Sequence, residues 1–183
     1  MSIVSYKDVL AFWFSETTKK LWFNSTPIFD QSLRLEYEPT WTSASNDELN
    51  TWYDSSQGML ALIIVLDQFP LNMFRGEAKS FSTEAQAITA TRRAISCGFD
   101  KQLNQIELPF LYMPLMHSEN LDDQNDSVEL FEQAGLENNI RFAKHHRDII
   151  KKYGRFPHRN RILARVNTVD ELNYLASRQA FIG

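Results

Sequence analysis

Apolar residues recur at helical spacing along most of the chain. Tyr6, Val9, Leu10, Trp13 and Phe14 fall on one stripe, predicting a helix over about residues 6–14. Ser5 is placed to cap it, with Asp8 three residues on. Thr26-Pro27 is a cap and first-turn pair, so a second helix carries Ile28, Phe29, Leu33 and Tyr37 and is expected to end before Pro39. Residues 40–46 read as a turn-rich connector, and another helix is expected to begin at Asp47 and Glu48.

Residues 59–66 contain no polar side chain. Composition alone would allow a buried strand there. The flanking helical patterns and the lack of hairpin signals favour a central helix over residues 57–68, closed by Pro70. Thr83 then opens a long helix, with Gln86 placed for a capping box and Gly98 as a C-terminal cap. Residues 108–116 form an apolar, proline-bounded stretch, and a helix follows through about Ala134. The next spans about residues 139–153 and stops at Gly154, and the last starts at Thr168, with Glu171 completing a capping box.

Seven to nine helices with short connections result. The chain shows no alternating strand set, no dinucleotide-binding glycine pattern, no P-loop and no repeat of fixed period. The expected fold class is all-α: a single domain over residues 1–183, built as an irregular, right-handed array of helical hairpins with aromatic-rich packing. The chain has 183 residues and 13 phenylalanines, enough to fill a sizeable core.

Composition adds limits on partners. The longest apolar run stops at Asp67, too short to cross a bilayer, and the N-terminal residues lack a signal-peptide pattern. A cytoplasmic location and no membrane association are expected. The lone Cys97 rules out an internal disulfide and is expected to be a small buried residue near a helix end. The net charge is -4, but seven acids and no base lie between Glu119 and Glu137, while nine Lys or Arg and one acid lie between Arg141 and Arg165. These segments either pair across a helical hairpin or leave a basic face for an anionic partner. The chain as a whole is acidic and contains no recognised nucleic-acid module, so nucleic acid is not the expected anion.

Three polar constellations interrupt the apolar pattern. In the first, Asp67 and Gln68 follow the apolar run, ahead of Pro70, Asn72 and Arg75. Asp67 there either fixes Arg75 or a backbone amide, or faces a ligand. In the second, His117, Ser118 and Glu119 follow Pro114. His117 and Glu119 would point about 200° apart on a regular helix, so they meet one ligand only if the helix ends between them. Ser118 is placed to cap the next helix.

In the third, His145 and His146 precede Tyr153-Gly154-Arg155-Phe156-Pro157-His158-Arg159-Asn160, with Arg161 and Arg165 beyond. Adjacent histidines cannot share a helical face, so one is expected to be more exposed. Arginine forks match carboxylate or phosphate oxygens, which makes a small anion the natural ligand and a buried Arg–Asp network the structural alternative.

Glu119, His145 and His158, with Asp67, are chemically acceptable metal ligands, but no ligand-spacing motif supports them and the arginines disfavour a cation. Neither a metal nor an organic cofactor is expected. If the site is catalytic, hydrolysis of a small phosphorylated or carboxylated substrate is the simplest chemistry. His158 or His145 would move the proton, Glu119 or Asp67 would orient that histidine, and Arg155 and Arg159 would clamp the oxygens. The ligand-binding set comprises Arg155, Arg159, Arg165, Asp67, Gln68, Arg75, His117 and Asn160. A protein-interaction module without catalysis is the further alternative.

Together these motifs resemble a bacterial family catalogued as a domain of unknown function, DUF924. The likeness covers Val9-Leu10-Ala11-Phe12-Trp13-Phe14, Trp22-Phe23, Leu66-Asp67-Gln68-Phe69-Pro70, Phe74-Arg75-Gly76, Tyr112-Met113-Pro114-Leu115-Met116-His117-Ser118-Glu119 and Tyr153-Gly154-Arg155-Phe156-Pro157-His158-Arg159-Asn160, then Arg165. The resemblance implies an all-helical fold similar to the tetratricopeptide-like superfamily, and it supplies no substrate or reaction. The sequence departs from the family pattern at Leu71, where arginine is common, and at Ala164, where glycine is common.

Overall fold

The structure is a computed structural model that describes residues 3–181. Among the described residues no strand occurs, four of the connections carry a short 3-10 turn, and the chain forms nine α-helices. They are α1 (Tyr6–Trp13), α2 (Glu16–Lys19), α3 (Pro27–Ser45), α4 (Ser56–Met73), α5 (Glu84–Ser96), α6 (Leu108–His117), α7 (Leu121–Gln133), α8 (Glu137–Tyr153) and α9 (Val169–Leu175). The chain divides into two compact units. One comprises residues 1–75 and 79–114, the other residues 76–78 and 115–183. No helix among the described residues is long and apolar enough to cross a membrane.

The first unit is organised around α4, which buries nearly every side chain along its length. The apolar run of residues 59–66 is therefore a central helix contacted by α1, α3 and α5. Aromatic rings fill the space beside it. Trp13 meets Phe69 at 5.6 Å and Phe110 at 5.7 Å, and Tyr37 meets Phe69 at 4.9 Å between centroids. Gly58 sits where α4 starts, and a Cβ there would lie 2.5 Å from the Trp52 carbonyl oxygen.

Three prolines lie inside helices rather than at their ends. Pro39 is within α3, so residues 40–45 are helical instead of a connector. The helix expected at Asp47 is displaced to a 3-10 turn over Asn50–Asp54. Pro70 is within α4 and Pro114 within α6.

Pro70 has no N–H to give the Leu66 carbonyl four residues back. The Thr83 hydroxyl donates to that oxygen instead, at 2.6 Å, and accepts the Trp41 indole N–H at 3.2 Å. With its hydroxyl engaged there, Thr83 makes no side-chain cap on α5, and the expected capping box is not formed. Cys97, at the end of α5, is exposed rather than buried, because it lies past the last buried turn.

In the second unit, α7 packs on α8 as successive helices. Asn120 rather than Ser118 caps α7, its side chain accepting the Asp122 and Asp123 N–H groups. Ser118 instead donates to Asp123 at 2.6 Å. Helix α8 ends at Gly154, whose φ of 71° takes the left-handed conformation that glycine adopts without steric cost. Beyond it the chain turns through a 3-10 segment, Pro157–Arg159, and reaches α9, where Thr168 and Glu171 form the expected capping box. Ile149, Ile150 and Phe156 make the local core, with Tyr153, Tyr174 and Phe181 packed against it.

Candidate functional site

The loop between α8 and α9 is held by two arginine forks. The Arg155 guanidinium donates to both Glu171 oxygens, at 2.7 and 2.9 Å, and to the Val166 carbonyl at 2.8 Å. The Arg155 hydrogen bonds, opposed by partial burial and helped by the Thr168 N–H, Asn160 and the arginine's charge, bring the Glu171 carboxyl down to about 2.

The second fork is Arg165 on Glu119, at 2.6 and 2.9 Å. Glu119 also accepts the Phe156 N–H at 2.7 Å. Burial pushes the Glu119 carboxyl up, but the Arg165 and Phe156 hydrogen bonds and the charges of Arg159 and Arg165 outweigh it and hold it below its ordinary value. Arg165 also donates to Asn160 Oδ1 at 2.9 Å, and the Asn160 amide donates to Asn167 at 2.7 Å. Ala164, just before Arg165, has a φ of 52°, a left-handed conformation that disfavours a side chain. That explains why glycine would suit this position.

Arg159 is buried. Its guanidinium donates to the His117 carbonyl at 2.8 Å and lies 4.6 Å from the Phe156 ring. An internal network thus holds Arg155 and Arg165, but their partners are Glu171 and Glu119 rather than the expected aspartates, and Arg159 is held by a backbone carbonyl. Helix α6 ends at His117, so the backbone between His117 and Glu119 is not regular helix.

All four histidines, His117, His145, His146 and His158, belong to this unit. Of the adjacent pair, His146 is the buried one, at 4% exposure. Its ring lies 5.4 Å from Phe156 and 4.4 Å from Phe181, and neither ring nitrogen has a hydrogen-bond partner. Burial, reinforced by His117, His145, His158 and Arg159, lowers it to about 3.

His158 lies 5.5 Å from Phe156 and 4.9 Å from Phe181. Burial and the Arg159 charge, opposed by Glu119, lower it to about 4, and its Nδ1 has no partner. Both imidazoles are therefore neutral at neutral pH. Glu119 orients neither of them, because its oxygens are taken by Arg165 and the Phe156 N–H.

Beside this turn is an open depression of about 330 Å³, lined by Pro157, His158, Arg161, Asn167 and Leu175. Arg161 is a lining side chain here for which sequence reasoning assigned no role. It belongs to the same basic run as Arg155 and Arg159, but nothing in the spacing distinguishes it from them.

The remaining expected site residues lie in the other unit, each with local partners. Asp67 accepts from the Gln68 amide at 2.6 Å, and Gln68 approaches the Met113 sulfur at 3.6 Å. Arg75 donates to Asp30 at 2.8 Å, Ser25 at 2.6 Å and Asn72 at 2.8 Å, so its carboxylate partner is Asp30 rather than Asp67. No group of three or more His, Cys, Asp or Glu among the described residues is arranged to hold a metal ion.

The family model described as "Bacterial protein of unknown function (DUF924)" matches residues 9–179. A solved structure of a protein of unknown function, ATU0120 from Agrobacterium tumefaciens, is similar at 33% identity, with a TM-score of 0.89, covering 93% of this chain and 96% of that one. No curated protein matches.

Proposed function

The chain belongs to DUF924, a bacterial family of unknown function, and we propose that it binds a small anionic molecule in the depression beside His158. One observation carries this reading. Arg161 lines that depression, whereas Arg155 and Arg165 are each held in a fork by an internal carboxylate. The locked arginines serve as framework. They fix the loop that presents His158, Arg161 and Asn167, and those three supply the contacts. A guanidinium gives two parallel donors to a carboxylate or phosphate, and the Asn167 amide adds a third. The tetratricopeptide-like likeness fits the same reading, as a helical scaffold carrying its site on a connecting loop.

Hydrolysis draws less support. Neutral His158 could accept a proton, but Glu119, the acid that would orient it, is already engaged by Arg165. Asp67, Gln68 and Arg75 have no part in the proposal.

Calorimetric titration of acetate and of inorganic phosphate tests the reading. The native protein is expected to bind at least one, and Arg161→Ala is expected to weaken it about tenfold, the loss of one charge-assisted fork. Equal binding by both proteins would reject the site.

A further inference from the structure

We propose that the ligand is an aromatic carboxylate whose ring takes the place that the Phe181 side chain now fills beside His146 and His158. The inference rests on the anion site above and adds the chemical class of what enters it.

The space in question is shaped for a ring. The Phe181 centroid lies 4.4 Å from that of His146, 4.9 Å from His158 and 6.4 Å from His145, with edge-to-face angles throughout. Phe156 also neighbours both imidazoles, 5.4 Å from His146 and 5.5 Å from His158. These are the distances and angles that aromatic pairs prefer.

A phenyl side chain satisfies this pocket only by packing. Both nitrogens of His146 and the Nδ1 of His158 are buried without a hydrogen-bond partner, and a phenyl ring can offer none. Buried polar groups left in that state are costly, so a ring bearing a polar atom would be preferred over the one present.

His158 belongs to both places. It lines the depression with Arg161 and Asn167, and it also contacts Phe181. One small molecule can therefore put a carboxylate at Arg161 and a ring at His146. Arg161 supplies a single positive charge, and the histidines, being neutral, supply none, which matches a monoanion better than a phosphate dianion.

Phe181 follows the end of α9, and its N–H donates to the Tyr174 hydroxyl at 2.8 Å.

The test is a titration of acetate, 4-hydroxybenzoate and 3-(4-hydroxyphenyl)propionate into the native protein, Phe181→Ala and Tyr174→Phe, followed by calorimetry and by the imidazole proton resonances of His146 and His158. Removing the Phe181 ring frees the pocket, so the aryl carboxylates are expected to bind Phe181→Ala about tenfold more tightly than the native protein. Acetate is expected to bind both alike, and the aryl compounds alone are expected to shift the His146 resonances. Tyr174→Phe keeps its ring and loses only the acceptor for the Phe181 N–H. It should move in the same direction by a smaller factor, and it carries the test if Phe181→Ala does not fold.

Aryl carboxylates that bind no better than acetate to either variant would overturn the inference while leaving the anion site standing. Failure of acetate, phosphate and the aryl carboxylates alike would overturn both.

Discussion

Charging His146 would place a cation beside Phe156 and Phe181, near His117, His145, His158 and Arg159, with no acceptor for either N–H. His158 faces a similar but less enclosed setting, with Arg159 and Arg165 opposing its charge and Glu119 favouring it. Both imidazoles bind protons more readily in the unfolded chain, where the ordinary value is 6.5, than in the folded one, at about 3 and about 4. Stability from these groups is therefore complete above pH 6.5 and is lost as pH falls from there toward the folded values. Linkage gives about 2 kcal/mol per histidine between pH 7 and pH 5. Glu119 and Glu171 have lowered values and lose their contribution only below their ordinary 4.5, so acid unfolding above pH 5 belongs to the histidines. His146→Phe should fold, remain at least as stable as the native protein at pH 7.5, and flatten the pH 7-to-5 decline by about 2 kcal/mol in urea titrations. An unchanged decline would show that His146 does not titrate as its burial requires. From the sequence, helical spacing could separate His145 from His146, but it could not say which of them was buried. That depended on Phe156 and Phe181, which approach from outside the helix.

The helix starts were the most legible elements, because caps are local chemistry. Ser5, Thr26 and Thr168 cap α1, α3 and α9 as their spacing indicates. The helix ends were misplaced wherever proline was taken as a stop. The penalty of an internal proline is real, but it can be met by partners distant in sequence. Leu66 and Pro70 show how, since the hydroxyl that replaces the missing N–H comes from Thr83, 17 residues away. No local pattern announces such a contact, and the same contact removed the capping box expected at Thr83. Thr83→Val keeps the shape but leaves the buried Leu66 carbonyl and the Trp41 indole N–H each short of this hydroxyl. A loss of about 2–4 kcal/mol in denaturant unfolding is expected from two such groups. Thr83→Ser, which restores the hydroxyl, should recover most of it. A Thr83→Val protein as stable as the native one would mean that Pro70 needs no substitute donor.

Across the whole chain, the reversal of charge after residue 137 is the strongest large-scale signal in the sequence, and its two segments meet through ion pairs of different kinds. On the α7–α8 hairpin, Glu132 pairs with Lys144 at 2.7 Å, and both side chains are about half exposed at 48%. Such a pair contributes little, because water and salt screen it. Glu119 on Arg165 is different. Both side chains are about three-quarters buried, the contact is a fork, and the carboxylate also ties down the Phe156 N–H. The family motifs mark these residues, but a motif does not say whether an arginine faces a ligand or a carboxylate. That choice is made by the fold, which brings together Glu119 and Arg165, 46 positions apart. Glu119→Gln keeps the size and removes the charge. It is expected to destabilise the protein by about 2–3 kcal/mol, while Glu132→Gln should change it by less than about 0.5 kcal/mol. High salt should weaken the native protein no more than the Glu132→Gln protein, within error, since the screened pair contributes little to either. The Glu119→Gln protein should also bind acetate more weakly, because the loop carrying Arg161 loses its anchor. Thermal unfolding and calorimetry of the two variants separate these outcomes. Equal stability losses would mean that the exposed hairpin pairing, rather than the buried fork, holds the basic segment in place.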